Sequence, residues 1–166
     1  MWQRILLSGT GLIAGSLVRS LVSETRAKSR ATTRAPAVGA VVYCDLAFGY
    51  AEHSGVYVGQ GLIAHLNRHG QIELVSPQAF VSGTPAQVIW YSAAGSRSVG
   101  CTTAAARARG QVGNRRRYNV IADNCHQFSS GCLTGDFDNS DNFLWQLRNR
   151  AEQQLGAERW ASWRVA

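Results

Sequence analysis

Lysine is all but missing from this chain. Of seventeen basic residues only Lys28 is a lysine, and the rest are arginine. Acidic side chains are also scarce, ten in 166 residues, which leaves a formal net charge of +7. Such an excess attracts something anionic, whether lipid headgroups, nucleic acid or cell-wall polymer. No nucleic-acid fold signature and no aromatic interleaving accompany it, so a nucleic-acid partner is not expected. The densest basic run is Arg107, Arg109, Arg115, Arg116 and Arg117.

Paired cysteine spacings are absent. Cys44, Cys101, Cys125 and Cys132 contain no CxxC, which argues against a disulfide framework and favours a reducing, cytoplasmic compartment. A long apolar run is absent too. The stretch Ile5 to Val18, broken by Gly and Ser, is too short to span a bilayer. With Arg4 before it and Arg19 after it, residues 1–35 are expected to be an apolar and basic arm and linker, peripheral at an anionic membrane surface. Export is the lesser alternative, because Ala35-Pro36-Ala37 lies far beyond the apolar core. Complete metal motifs are missing as well. Asp136, Asp138 and Asp141 imitate the start of a calcium loop, but its sixth and twelfth places hold Asp141 and Leu147. His65 and His69 are spaced for a helix yet fall on or after a strand. No metal or cofactor is therefore expected.

What is present is a pair of histidines in EHSGVYVGQGLIAHL. His53, Gly55 and Tyr57 fall on one face of an extended segment, with Val56 and Val58 on the other. With Val58-Gly59-Gln60 as the loop, Tyr57 pairs with Gly61 and His53 stands directly opposite His65, about 4.5 to 5.5 Å away between Cβ atoms. A slip of one residue would turn His65 to the far face.

Further along, Asp123 and Asn124 are good N-cap types and Cys125-His126-Gln127-Phe128 reads as the first turn of a helix. A thiol there meets the positive end of the helix dipole, which favours the thiolate, and the same amides are placed to receive an oxyanion. The ordinary alternative is a buried, inert cysteine. Strands are expected in VVYC and over 71–75 and 87–92, helices over 102–112 and from about 141 to 155, and a short extended piece over 118–122. Trp160 and Trp163 read as packing groups.

The block HSGVYVGQGLIAHL followed by NC resembles the lecithin:retinol acyltransferase-like proteins, circularly permuted relatives of the NlpC-type cysteine peptidases. His53, Tyr57, Val58, Gly59, His65, Asn124, Cys125 and Phe128 match the family pattern, and the likeness covers about residues 38 to 135. The chain departs from that pattern at Ser54, where many members have Trp, at Ala40, where Gly-Asp is common, and in Cys-His-Gln in place of Cys-Glu-His. The resemblance implies an α+β, permuted papain-like (NlpC-type) domain over residues 36–166, with an antiparallel sheet and the nucleophile at a helix N-terminus. It implies Cys125 as nucleophile, His53 as its base and His65 as the group orienting His53. Asn124 and Tyr57 are expected in support, and the run Arg115, Arg116 and Arg117 is by charge either a solvated basic loop or a contact for substrate headgroup or phosphate. The expected activity is acyl transfer or phospholipase-type hydrolysis through a thioester, on an acyl-bearing lipid or peptide. An NlpC-type peptidase or amidase is the alternative, and a non-catalytic binding module the third reading.

Overall fold

The computed structural model describes residues 31–47, 51–117, 119 and 124–165, together with Arg19, Val22, Arg26, Lys28 and Arg30. The apolar stretch 5–18 and most of the expected extended piece 118–122 lie outside them. Among the described residues from 31 onward the elements follow in the order β1 (Val41–Asp45), β2 (Glu52–Gly59), β3 (Leu62–Leu66), β4 (Ile72–Val75), α1 (Pro77–Val81), β5 (Val88–Ala94), β6 (Arg97–Ser98), α2 (Thr102–Gln111), α3 (Cys125–Thr134), α4 (Leu144–Leu155) and β7 (Arg159–Arg164). The fold is α+β. All seven strands join one antiparallel sheet in the order β4-β3-β2-β1-β5-β6, and β7 pairs with β5.

Side chains alternate across this sheet, so its two faces are distinct. Val56, Ala64, Leu66 and Ile72 pack with Ala105, Ala108, Phe128 and Cys132 of α2 and α3. Val42, Cys44, Tyr57, Ile63 and Ile89 turn the other way, onto Phe80 of α1 and Trp163 of β7. The sequence reading missed α1 and β7. Ser76 accepts from the Ala79 amide as an N-cap and Pro77 occupies the first helical position, which together start α1. Thr32 forms a bridge with Trp163, and the Arg164 amide donates to the Thr32 carbonyl, which ties the chain before residue 35 to the sheet edge.

The hairpin differs from the expected register. Tyr57 pairs with Ile63, not Gly61, because Gln60 and Gly61 both take positive φ in a two-residue turn and a bulge falls between Tyr57 and Gly59. The slip is two residues, an even number, so His65 keeps the face of His53 but now stands opposite Gly55. A side chain at Gly55 would meet the Ala64 carbonyl at 2.7 Å and the Ile63 methyl at 2.8 Å. Glycine there leaves His65 room to lean diagonally toward His53.

Candidate active site

Asn124 caps α3 by accepting from the amides of His126 and Gln127, as expected, and its own amide group donates to the Asn142 carbonyl. This fixes the first turn. Cys125 opens the helix as a free, buried thiol.

Two strands part where that thiol arrives. Pairing between β2 and β3 ends at Val56 and Ala64, although β2 continues on β1 as far as Glu52 and β3 continues on β4 as far as Leu66. Ser54, beyond the last β2–β3 pair, meets the Ser129 hydroxyl at 3.1 Å, and Ser129 donates to the Cys125 carbonyl at 2.9 Å. The first turn that carries the nucleophile candidate is thus joined to the residue that follows His53.

On the other face the two imidazoles meet, with His53 Nε2 2.6 Å from His65 Nδ1 and the rings nearly perpendicular. Phe80 packs on both. His65 Nε2 lies 3.3 Å from a carboxylate oxygen of Glu73, its direct cross-strand partner, and Asn67 donates to the same oxygen at 2.9 Å. The approach to Glu73 is one of distance only, since His65 Nε2 makes no aligned hydrogen bond. A His65 with its proton on Nε2, toward that carboxylate, accepts at Nδ1 from His53 Nε2 and leaves His53 a lone pair on Nδ1. Glu73 had not been singled out from the sequence, since nothing local says which β4 residue faces His65.

Burial sets the protonation states. It lowers His53 from 6.5 to about 3, with the neighbouring His65 and His126 adding to the effect, and it lowers His65 against the opposing pull of Glu73. Burial also raises the Cys125 thiol, more than the neighbouring donors of Ser54 and the helix start lower it. The helix end had been expected to give a depressed thiol, and the buried setting reverses that expectation. At rest, thiol and imidazole are both neutral.

The remaining candidates have other duties. The Tyr57 hydroxyl accepts from the Gly61 amide at 3.2 Å and its ring edges onto Trp163, so it pins the hairpin turn. Arg116 donates to the Phe137 carbonyl at 2.7 Å and to the Gln127 side chain, bracing the far side of α3. Arg115 reaches the His69 carbonyl, and Arg117 is exposed. The three do not converge.

An antiparallel sheet bearing a histidine pair, met by a cysteine at a capped helix start, defines an α+β protein with a thiol site. The chain belongs to the lecithin retinol acyltransferase family, whose model matches residues 34–138. Comparison with curated proteins found no match. Family membership suggests an enzyme of acyltransferase or phospholipase type acting on acyl substrates. Among the described residues no helix is long and apolar enough to cross a membrane.

Proposed function

We propose that the protein is a thiol-dependent acyltransferase or phospholipase-type acyl hydrolase that works through Cys125, His53 and His65. The observation that carries this reading is the 2.6 Å contact between His53 and His65, on a strand whose Ser54 is joined through Ser129 to the Cys125 carbonyl. His53 takes the Cys125 proton, and the sulfur attacks an ester carbonyl. The tetrahedral intermediate collapses as His53 returns the proton to the leaving alcohol, and the acyl group stays on sulfur as a thioester. Water or an amine, deprotonated by His53, then takes the acyl group and frees the thiol. His65 holds His53 in the tautomer this requires, and Glu73 holds His65.

The order of parts, histidine strands before cysteine helix, supports the permuted papain-like arrangement. Lipid is the favoured donor. Phe143 and Trp145, 54% and 62% exposed, stand just beyond Asn142, whose carbonyl is held by Asn124 next to the nucleophile. Large apolar side chains left bare beside a site suit an acyl chain or a membrane interface. Incubation with mixed phospholipid vesicles and, separately, with peptidoglycan peptides, followed by intact mass and peptide mapping, tests the reading. A long-chain acyl adduct on Cys125 is expected. A peptide adduct would move the assignment to a peptidase or amidase.

A further inference from the structure

A cavity of about 690 Å³ lies between the chain before residue 35 and the β5–β7 part of the sheet, and it shares no residue with the candidate active site. One wall is helical. Arg19, Val22, Arg26 and Arg30 line it at steps of three, four and four residues, the spacing that stacks side chains on one helical face. Lys28 is helical too but does not line the cavity. This wall is tied to β7, since the Arg164 guanidinium donates to the Lys28 carbonyl at 3.2 Å and the Thr32 amide to the Ser162 carbonyl at 3.0 Å.

Arg159 of β7 adds a fourth guanidinium. Its Nε donates to the Gly95 carbonyl at 2.6 Å, a contact that aims the group without exhausting its donors. No acidic side chain lines the cavity among the described residues, and Glu158, next to Arg159, accepts from the Gly95 amide instead. Guanidinium groups turned onto one space raise the potential there and draw in an anion. The remaining wall is largely apolar. Trp90 and Trp160, both half-buried and packed on Tyr43, border the same space as Val22, which is 54% exposed.

Charge and volume narrow the occupant. A carboxylate brings a single charge to these arginines, whereas a phosphate monoester brings about −1.5 to −2 and three acceptor oxygens that match guanidinium forks. The volume falls among sites that hold whole small molecules, roughly 300 to 1,000 Å³, so a lone phosphate would leave the tryptophans uncovered. We propose that this cavity binds a phosphate monoester with an apolar substituent, the phosphate held by Arg19, Arg30 and Arg159 and the substituent lying on Trp90 and Trp160. A soluble phosphorylated molecule and a lipid phosphate headgroup share this chemistry. Binding here is independent of the reaction at Cys125.

The test is calorimetric titration of the full-length protein with 1-naphthyl phosphate, inorganic phosphate and 1-naphthol. 1-Naphthyl phosphate should bind about tenfold more tightly than either of the others. Arg19→Gln and Arg30→Gln, both at exposed positions, should each weaken it about tenfold, the scale of one bond to a charged group. Trp160→Leu should reduce it toward the affinity of inorganic phosphate. Lys28→Gln removes the same charge outside the cavity and should leave binding within about twofold, as a screened surface charge does. Cys125→Ala should bind as the parent does. Vesicles of phosphatidylcholine, with and without phosphatidic acid, separate the two sources. Displacement of 1-naphthyl phosphate only when phosphatidic acid is present assigns a lipid headgroup, and 1-naphthyl phosphate that stays bound assigns a soluble phosphate. No binding of 1-naphthyl phosphate, an equal loss in Lys28→Gln, or a loss in Cys125→Ala overturns the site. Equal affinity for inorganic phosphate overturns the apolar half of the proposal.

Discussion

Cys101 and Cys125 both stand at helix starts, and they end in opposite states. Cys101 is the N-cap of α2 and partly exposed, and the nearby amides of Ala104 and Thr103, with some help from Arg107, lower its pKa. Cys125 opens α3, where neighbouring donors also lower the thiol, yet burial raises it by more. A helix end stabilises a thiolate that water also reaches, but it does not offset full desolvation. Acidity alone would have chosen the wrong cysteine. What Cys125 has and Cys101 lacks is company, with Ser54 and Ser129 against its helix start and the His53–His65–Glu73 line on the neighbouring strands.

That comparison breaks most visibly by substitution. Cys125→Ala should abolish turnover and His53→Ala should lower it by about a thousandfold, the usual yield of a positioned general base. Cys101→Ser should leave kcat/KM within about twofold. If the more acidic thiol were the nucleophile, these results would exchange.

A smaller effect tests the line behind the base. Glu73→Gln keeps the shape but no longer fixes the His65 tautomer, since an amide can offer either a donor or an acceptor. It should cost about tenfold in kcat, roughly one hydrogen bond, with KM little changed. His65→Asn should cost more than Glu73→Gln, and less than His53→Ala because an amide can still orient His53. A Glu73→Gln enzyme with full activity would detach Glu73 from the site.

Acid stability marks the same contrast at low cost. His53 and His126 are held neutral when folded, at about 3 and about 4, but return to 6.5 when unfolded. Below pH 6.5 the unfolded chain therefore binds more protons than the folded one, so stability is full above that pH and falls as the solution is acidified toward 4 and then 3. Each histidine should contribute a slope of about 1.4 kcal/mol per pH unit across its window. Denaturant midpoints from pH 7 to 4 will measure this, and His126→Asn should flatten the curve while Cys101→Ser leaves it unchanged.

Much of the site was legible because its signals are local. Asn124 before Cys125, and two histidines flanking a glycine turn, announce themselves within fifteen residues, and strand periodicity was enough to put both rings on one face. The register was wrong by two, since the bulge beside Gly59 has no mark in composition, and the error was harmless only because two preserves parity. Ser54 and His126 were noted only as departures from the family pattern, and Glu73 was not singled out. Ser54 and His126 are 72 positions apart and meet only because β2 and β3 part beneath α3. Glu73 faces His65 through the β3–β4 register, which no turn motif fixes. Strand β7 was read as packing tryptophans, and Trp163 does pack, while its strand pairing depends on β5 being in place.

The most direct measurement offers both thiols one small activated ester, p-nitrophenyl acetate, and quenches early in acid before mapping the thioester. Cys101 is the more exposed and the more acidic, so chemistry without a built site acylates it first. The account predicts an early acetyl thioester on Cys125 that turns over, and its loss in His53→Ala. Acetyl confined to Cys101, with Cys125 bare and p-nitrophenol release unchanged in Cys125→Ala, would contradict it.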